Sequence, residues 1–209
     1  MKKLIIFISS IFILSLCSCK NDVNLTFNRD GSVKFEFSTE AGEAITKMLK
    51  DFSSENDADS IIDKKAIAEE LTNSKFSNVV VSNTGLSNVK MSGVDKNKRS
   101  ILFSTGILSD KSSKVKVSLT PKQLKKFYDD SEESTQMLLD MLLSPVFNNE
   151  VMTENEYIET VSSFYGAPVA QEIKNSYVNI TINTIDDEIL TKKIPLVQLM
   201  TLNKPLTIE

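Results

Sequence analysis

Histidine and tryptophan are absent from all 209 residues. Without histidine, the commonest general base and the commonest zinc ligand are both missing. Serine–histidine and cysteine–histidine nucleophiles are excluded with it. Cysteine is scarce as well: Cys17 and Cys19 are the two in the chain. The roughly 190 residues that follow hold no thiol, so no disulfide can brace them even in an oxidising compartment. There is no glycine-rich phosphate loop, and no serine sits in a nucleophile elbow. Basic residues fall short of acidic ones, 24 against 28, for a net charge of −4. That balance argues against nucleic acid, whose phosphates are bound by Lys and Arg. It argues equally against electrostatic adhesion to anionic headgroups. The chain reads as a non-enzyme, with no cofactor, no metal and no nucleic-acid partner expected.

What is present is concentrated at the start. Lys2 and Lys3 lead into an apolar run from Leu4 to Leu16. A basic start, an apolar middle and a small residue before the cut make a secretory signal. The run is too short to span a bilayer comfortably, which takes about 20 residues. Leu16-Cys17-Ser18-Cys19 resembles a bacterial lipobox. The resemblance implies cleavage before a cysteine that carries diacylglycerol. Small Ser18 suits Cys19 as that residue, whereas bulky Leu16 does not suit Cys17. The expected layout is a signal peptide over 1–18, lipidated Cys19 with a short tether over 19–22, and one domain over 23–209. Attachment would come from acyl chains, each buried methylene giving about 0.8 kcal/mol. An exported protein held to a membrane by a lipid anchor follows. Lys20 rather than Asp follows the cysteine, so the outer membrane is expected ahead of the inner one.

Past the anchor, Val23 to Phe27 and Val33 to Phe37 alternate apolar and polar around Asn28-Arg29-Asp30-Gly31, which predicts a hairpin. Thr39 reads as the N-cap of a helix carrying Ala41, Ile45, Met48, Leu49 and Phe52. A loop over Ser53 to Ser60 and a helix with Ile62, Ala66, Ile67 and Leu71 on one face follow. Phe76 to Ser82, Leu86 to Met91, Ile101 to Thr105 and Val115 to Leu119 read as strands. Asn83 to Gly85, Gly93 to Arg99 and Ser109 to Ser113 read as the turns between them, in an antiparallel meander. Thr120-Pro121-Lys122-Gln123 opens a helix expected to end before Pro145. Thr153 to Glu156 is a second capping box, before a helix with Tyr157, Ile158, Val161 and Phe164 that stops at Gly166. Pro168 to Lys174 adds a turn or two. Strands are expected at Tyr177 to Ile182, Ile189 to Leu196 and Leu206 to Ile208. The class is α+β, an antiparallel sheet with several helices packed on one face.

The most apolar stretch past the anchor runs from Met137 to Phe147. It is either a helix buried in the core or the wall of a pocket for an acyl chain or other apolar ligand. Met137, Met141, Leu142 and Phe147 are the candidate ligand-binding residues, methionine being suited to adaptable apolar surfaces. Asp57, Asp59 and Asp63 read as a solvated loop, because Ile61 and Ile62 stand where a calcium loop needs oxygen and glycine. Asp129, Asp130, Glu132 and Glu133 read as an exposed helix face.

Two wider resemblances rest on short motifs. Val23 to Phe27, then Asp30-Gly31-Ser32, a strand and an amphipathic helix, resembles the opening of LppM-type lipoprotein domains. Pro145-Val146-Phe147 to Tyr157, with Ile194-Pro195-Leu196, resembles lipoproteins of spirochaetes. The first implies an α+β domain at a membrane, with lipid as the ligand of the fold. The reading that results is a non-enzymatic binding module of the cell envelope, with an apolar ligand or an envelope protein as partner. The alternative is a surface-exposed structural protein or one that contacts a host or another protein.

Overall fold

The hairpin forms where the local signals put it. In the computed structural model, which describes residues 20–52, 64–83, 88–111, 114–129, 136, 139–140, 143, 145–148 and 150–209, β1 (Lys20–Phe27) pairs antiparallel with β2 (Val33–Glu40). Gly31 adopts φ +83° in the turn, a conformation that costs glycine little. The Asp30 carboxylate accepts the Ser32 amide at 2.9 Å and the Ser32 hydroxyl at 2.6 Å. Lys20, Asn21 and Asp22, expected as a tether, are the first three residues of β1 and pair with Glu40, Thr39 and Ser38.

The chain continues through α1 (Glu43–Phe52), α2 (Lys64–Asn73), β3 (Ser77–Asn83), β4 (Asn88–Asp95), α3 (Ile101–Ser104), β5 (Leu108–Lys111), β6 (Lys114–Leu119) and α4 (Pro121–Asp129). Then come α5 (Glu154–Tyr165), α6 (Ala167–Asn175), β7 (Tyr177–Asn183), β8 (Ile189–Pro195), α7 (Leu196–Met200) and β9 (Leu206–Ile208). The strands form a six-stranded sheet in the order β3-β4-β2-β1-β7-β8 and a three-stranded sheet in the order β5-β6-β9. The fold is α+β. Among the described residues no helix is long and apolar enough to cross a membrane.

Several local expectations give way to tertiary context. The large sheet is mixed, because β1 and β7 run parallel; the chain between them is long enough for the crossover that parallel neighbours require. Thr39 is a buried strand residue opposite Asn21 and Val89, so it does not cap α1. Residues 101–104 form a helix instead of a strand; a four-residue apolar run fits either period. Gly93 to Asp95 extend β4, and Ser109 to Lys111, in the stretch that reads as a turn, belong to the strand Leu108–Lys111. Residues 145–147 are helical despite Pro145. Both capping boxes form: the Thr120 hydroxyl accepts the Gln123 amide at 3.1 Å, and Thr153 and Glu156 bond reciprocally.

One face of the large sheet is apolar. Val33, Phe35 and Phe37 of β2, Leu25 and Phe27 of β1, Val89 and Met91 of β4, and Val178 and Ile182 of β7 are buried there. Buried residues of α1, α2, α4, α5, α6 and the small sheet belong to the same cluster. The opposite face alternates outward with Asn24, Thr26, Lys34, Glu36 and Thr181. Asn179 donates to the Asp22 carboxylate there at 2.8 Å, and Lys34 pairs with Glu36 at 2.7 Å.

Gly93 sits opposite Phe35, and a Cβ built on it would lie 2.9 Å from the Phe76 Cβ. The bare backbone lets Phe76 cross β4 and meet Phe35, with ring centroids 5.7 Å apart. Gly93→Ala is therefore expected to cost about 2 kcal/mol by overpacking, read as a lower urea midpoint. An unchanged midpoint would show that Phe76 can retreat.

Candidate functional site

The two sheets face each other across an apolar cavity of about 180 Å³. Strand register sets out its walls in rows, since residues paired across neighbouring strands point to the same side. On the large sheet Phe37, Val23 and Ile180 stand abreast, Phe35 stands beside Leu25, and Val178 stands beside Ile194. On the small sheet Leu108, Val117 and Ile208 make one row and Leu119 with Leu206 another. Phe76, Leu102, Ile107 and Leu199 complete the lining.

None of these sixteen side chains carries a nitrogen, oxygen or sulfur atom. The strand backbones behind them are committed to their ladders. Val23, Leu102, Ile107, Val117, Leu119, Ile180 and Leu206 are half-buried, and the other nine lining residues, Phe35, Phe76 and Leu108 among them, are buried. Phe35, Phe76 and Leu108 belong to the closed part of the lining, and half-buried Ile180 on β7 lies one strand in from the sheet edge at β8. Among the described residues the lining offers hydrocarbon contact alone.

Of the candidate residues singled out from the sequence, none that the structure describes lines the cavity. Cys19, Met137, Met141 and Leu142 fall outside the described residues, as do Asp57, Asp59 and Asp63. Phe147 is buried, 5% exposed, and stacks on Tyr128 with centroids 4.4 Å apart; it does not line the cavity. Leu139 and Leu143 are buried in the same core. The Tyr128 hydroxyl donates to the Asp140 carboxylate at 3.0 Å, and that bond holds its proton on above the usual phenol range. Asp129 is an exposed partner of Lys125 at 2.9 Å. Among the described residues no three Asp, Glu, Cys or His side chains are grouped to hold a metal ion.

Two features outside the lining had no sequence signal of function. Asp95 is 2% exposed and serves as the hub of the loop after β4. One carboxylate oxygen accepts the Asn97 and Arg99 amides at 3.0 and 3.1 Å, and the other accepts the Ser100 amide at 2.6 Å. Burial pushes its pKa up, but the bonds from Ser100, Arg99 and Asn97 outweigh that and hold it below the usual value. Lys98 and Asp110 close the same loop onto β5 with an ion pair. Phe164, expected on the apolar stripe of its helix, is 77% exposed instead. It sits in the last turn before Gly166, on the same side of the helix as buried Tyr157 and Val161 but nearer its end.

Alternation along β1, β2, β6 and β7 is enough to assign their inward residues. That two such faces stop short of each other has no local signature. No protein-family profile, curated sequence or solved structure matches the chain.

Proposed function

We propose that the protein is a lipid-anchored, non-enzymatic module of the cell envelope that binds an apolar ligand between its two sheets. The cavity carries this reading. Protein interiors are close-packed, with few voids larger than a water molecule. Sealed and empty, a 180 Å³ void would cost at most roughly 4 kcal/mol of stability at about 24 cal/mol per Å³, and less to the extent that it opens to water. A ligand that fills it recovers that energy, so the cavity is better suited to a guest than to vacancy.

The lipobox residues supply the other half of the reading. Lys20, next to Cys19, is already paired with Glu40 and Tyr177. An acylated Cys19 would hold that end of the sheet at the headgroups. Val23, at the cavity, is four residues farther along, about 13 Å at strand rise. The cavity would then open within reach of the bilayer.

The test pairs two substitutions. Cys19→Ser is expected to move the protein from the membrane fraction to the soluble one. Val117→Phe, which fills the cavity from the middle of β6, is expected to weaken uptake of an apolar fluorescent dye at least tenfold and leave the far-UV circular dichroism unchanged. Undiminished dye uptake in a folded Val117→Phe protein would remove the cavity from the account.

A second reading, a surface protein that docks another protein, is favoured by Phe164. Its exposed ring lies beside Tyr165, with centroids 6.3 Å apart, at the corner between α5 and α6. Loss of the protein from intact cells under protease would support exposure to the outside.

A further inference from the structure

We infer that the cavity takes the methyl end of a single unbranched hydrocarbon chain, tip first, with the chain's anionic group left at the mouth beside Lys192. The inference rests on the ligand-binding reading above and narrows it to one class of ligand.

The lining decides what goes in. A hydroxyl, carbonyl or charged group carried to Phe35, Phe76 or Leu108 would lose its water and find no partner among the side chains there. A methyl group loses nothing and gains contact. Volume sets how much enters. An engineered cavity of about 150 Å³ lined by Leu, Ile and Phe admits benzene, which has six carbons. On that scale 180 Å³ takes about seven carbons. A fused-ring sterol or a whole two-chain lipid is too large, whereas the end of one chain fits.

The mouth decides what stays out. Ile180 is paired directly with Lys192 on β8, so both point to the cavity side of the sheet. Lys192 is exposed and ends the row Phe37–Val23–Ile180 at the sheet edge. A carboxylate or phosphate on the eighth or later carbon of a chain seated in the cavity falls near this ammonium group. Both charge and hydrocarbon are then met by the groups that suit them.

The experiment uses the purified full-length protein and three probes, decanoate, 10-hydroxydecanoate and decanol, with affinities read by calorimetry. Decanoate is expected to bind. Its 10-hydroxy analogue, which carries a hydroxyl to the closed end, is expected to bind at least tenfold more weakly. Lys192→Gln is expected to weaken decanoate about threefold and leave decanol unchanged. Val117→Phe, or Val117→Leu should the larger residue unfold the protein, is expected to weaken all three.

Equal affinity for decanoate and 10-hydroxydecanoate, both lost on filling Val117, would overturn the tip-first orientation and leave the cavity as the binding site. Decanoate affinity indifferent to Lys192→Gln would overturn the placement of the anionic group. Failure of every probe to bind, or binding indifferent to Val117, would instead bring down the ligand-binding reading itself. Mass spectrometry of the molecule released from the native protein separates a free fatty acid from one chain of a phospholipid, and either fits. A sterol released in its place would overturn the inference.

Discussion

Asp95→Ala is expected to destabilise the fold by about 3 kcal/mol, the largest effect of any single polar substitution in the described residues. Three backbone amides, those of Asn97, Arg99 and Ser100, depend on this one carboxylate. Hydrogen bonds to a charged acceptor are worth about 1.5–3 kcal/mol each, and buried donors left without a partner add a penalty. The losses overlap, because water can reach part of the opened loop. For a domain of this size 3 kcal/mol lowers Tm by roughly 6–12 °C. Asp95→Asn keeps one acceptor and is expected to cost about half as much.

Acid should expose the same dependence. The Asp95 carboxyl titrates lower in the folded protein than in the unfolded chain. Its stabilising contribution is therefore complete above the unfolded value, about 3.9, and is lost as pH falls through the lower folded value. The gap between wild type and Asp95→Asn in urea midpoint should be widest near neutrality and shrink below about pH 4. A gap that stays constant down to pH 2 would mean that the carboxylate charge plays no part.

Glu172→Ala comes next, at about 2 kcal/mol. Glu172 on α6 accepts the amides of Ala44 at 2.8 Å and Ile45 at 2.9 Å, one on each carboxylate oxygen. These are first-turn donors of α1, which have no partner within their own helix. A carboxylate there also complements the positive end of the helix. Loss of a side-chain cap costs about 1 kcal/mol and up to 2, and this one additionally ties α1 to α6. Hydrogen exchange supplies the check: the Ala44 and Ile45 amides should exchange faster in Glu172→Ala and regain part of their protection in Glu172→Gln. Unaltered exchange at both amides would show that the contact does not hold the helix end.

The contrast between Thr39 and Glu172 shows why some of the fold was legible in the sequence and some was not. The hairpin turn at Asn28 to Gly31 and the capping boxes at Thr120 and Thr153 are written within four residues, and each forms. The cap of α1 is supplied from 127 and 128 residues away, so no local pattern could announce it; Thr39 has the side chain of a cap but belongs to β2. Ile101 to Ser104 coil because the Ser100 amide is held by Asp95 and the Ile101 amide reaches the Ser74 carbonyl at 3.3 Å. β5 was hidden by Ser109 and Asp110, which suit a turn as well as an edge. The candidate site was least visible of all. Each of its wall residues reads as ordinary core, and the apolar stretch at 137–147 contributes no described residue to the lining.

One consequence of the β1 position concerns the order of events during synthesis. β1 lies between β2 and β7, and the Asn21 side chain bonds to the Tyr177 carbonyl at 3.4 Å. A ribosome or export channel delivers β1 with its hairpin partner almost at once, but its other neighbour emerges some 150 residues later. Through that interval the hairpin keeps one flank of unmatched amides and carbonyls, a template for pairing with the wrong strand. Non-local closure of this kind also slows folding. β1 therefore gains its second neighbour only once nearly all of the chain has been delivered.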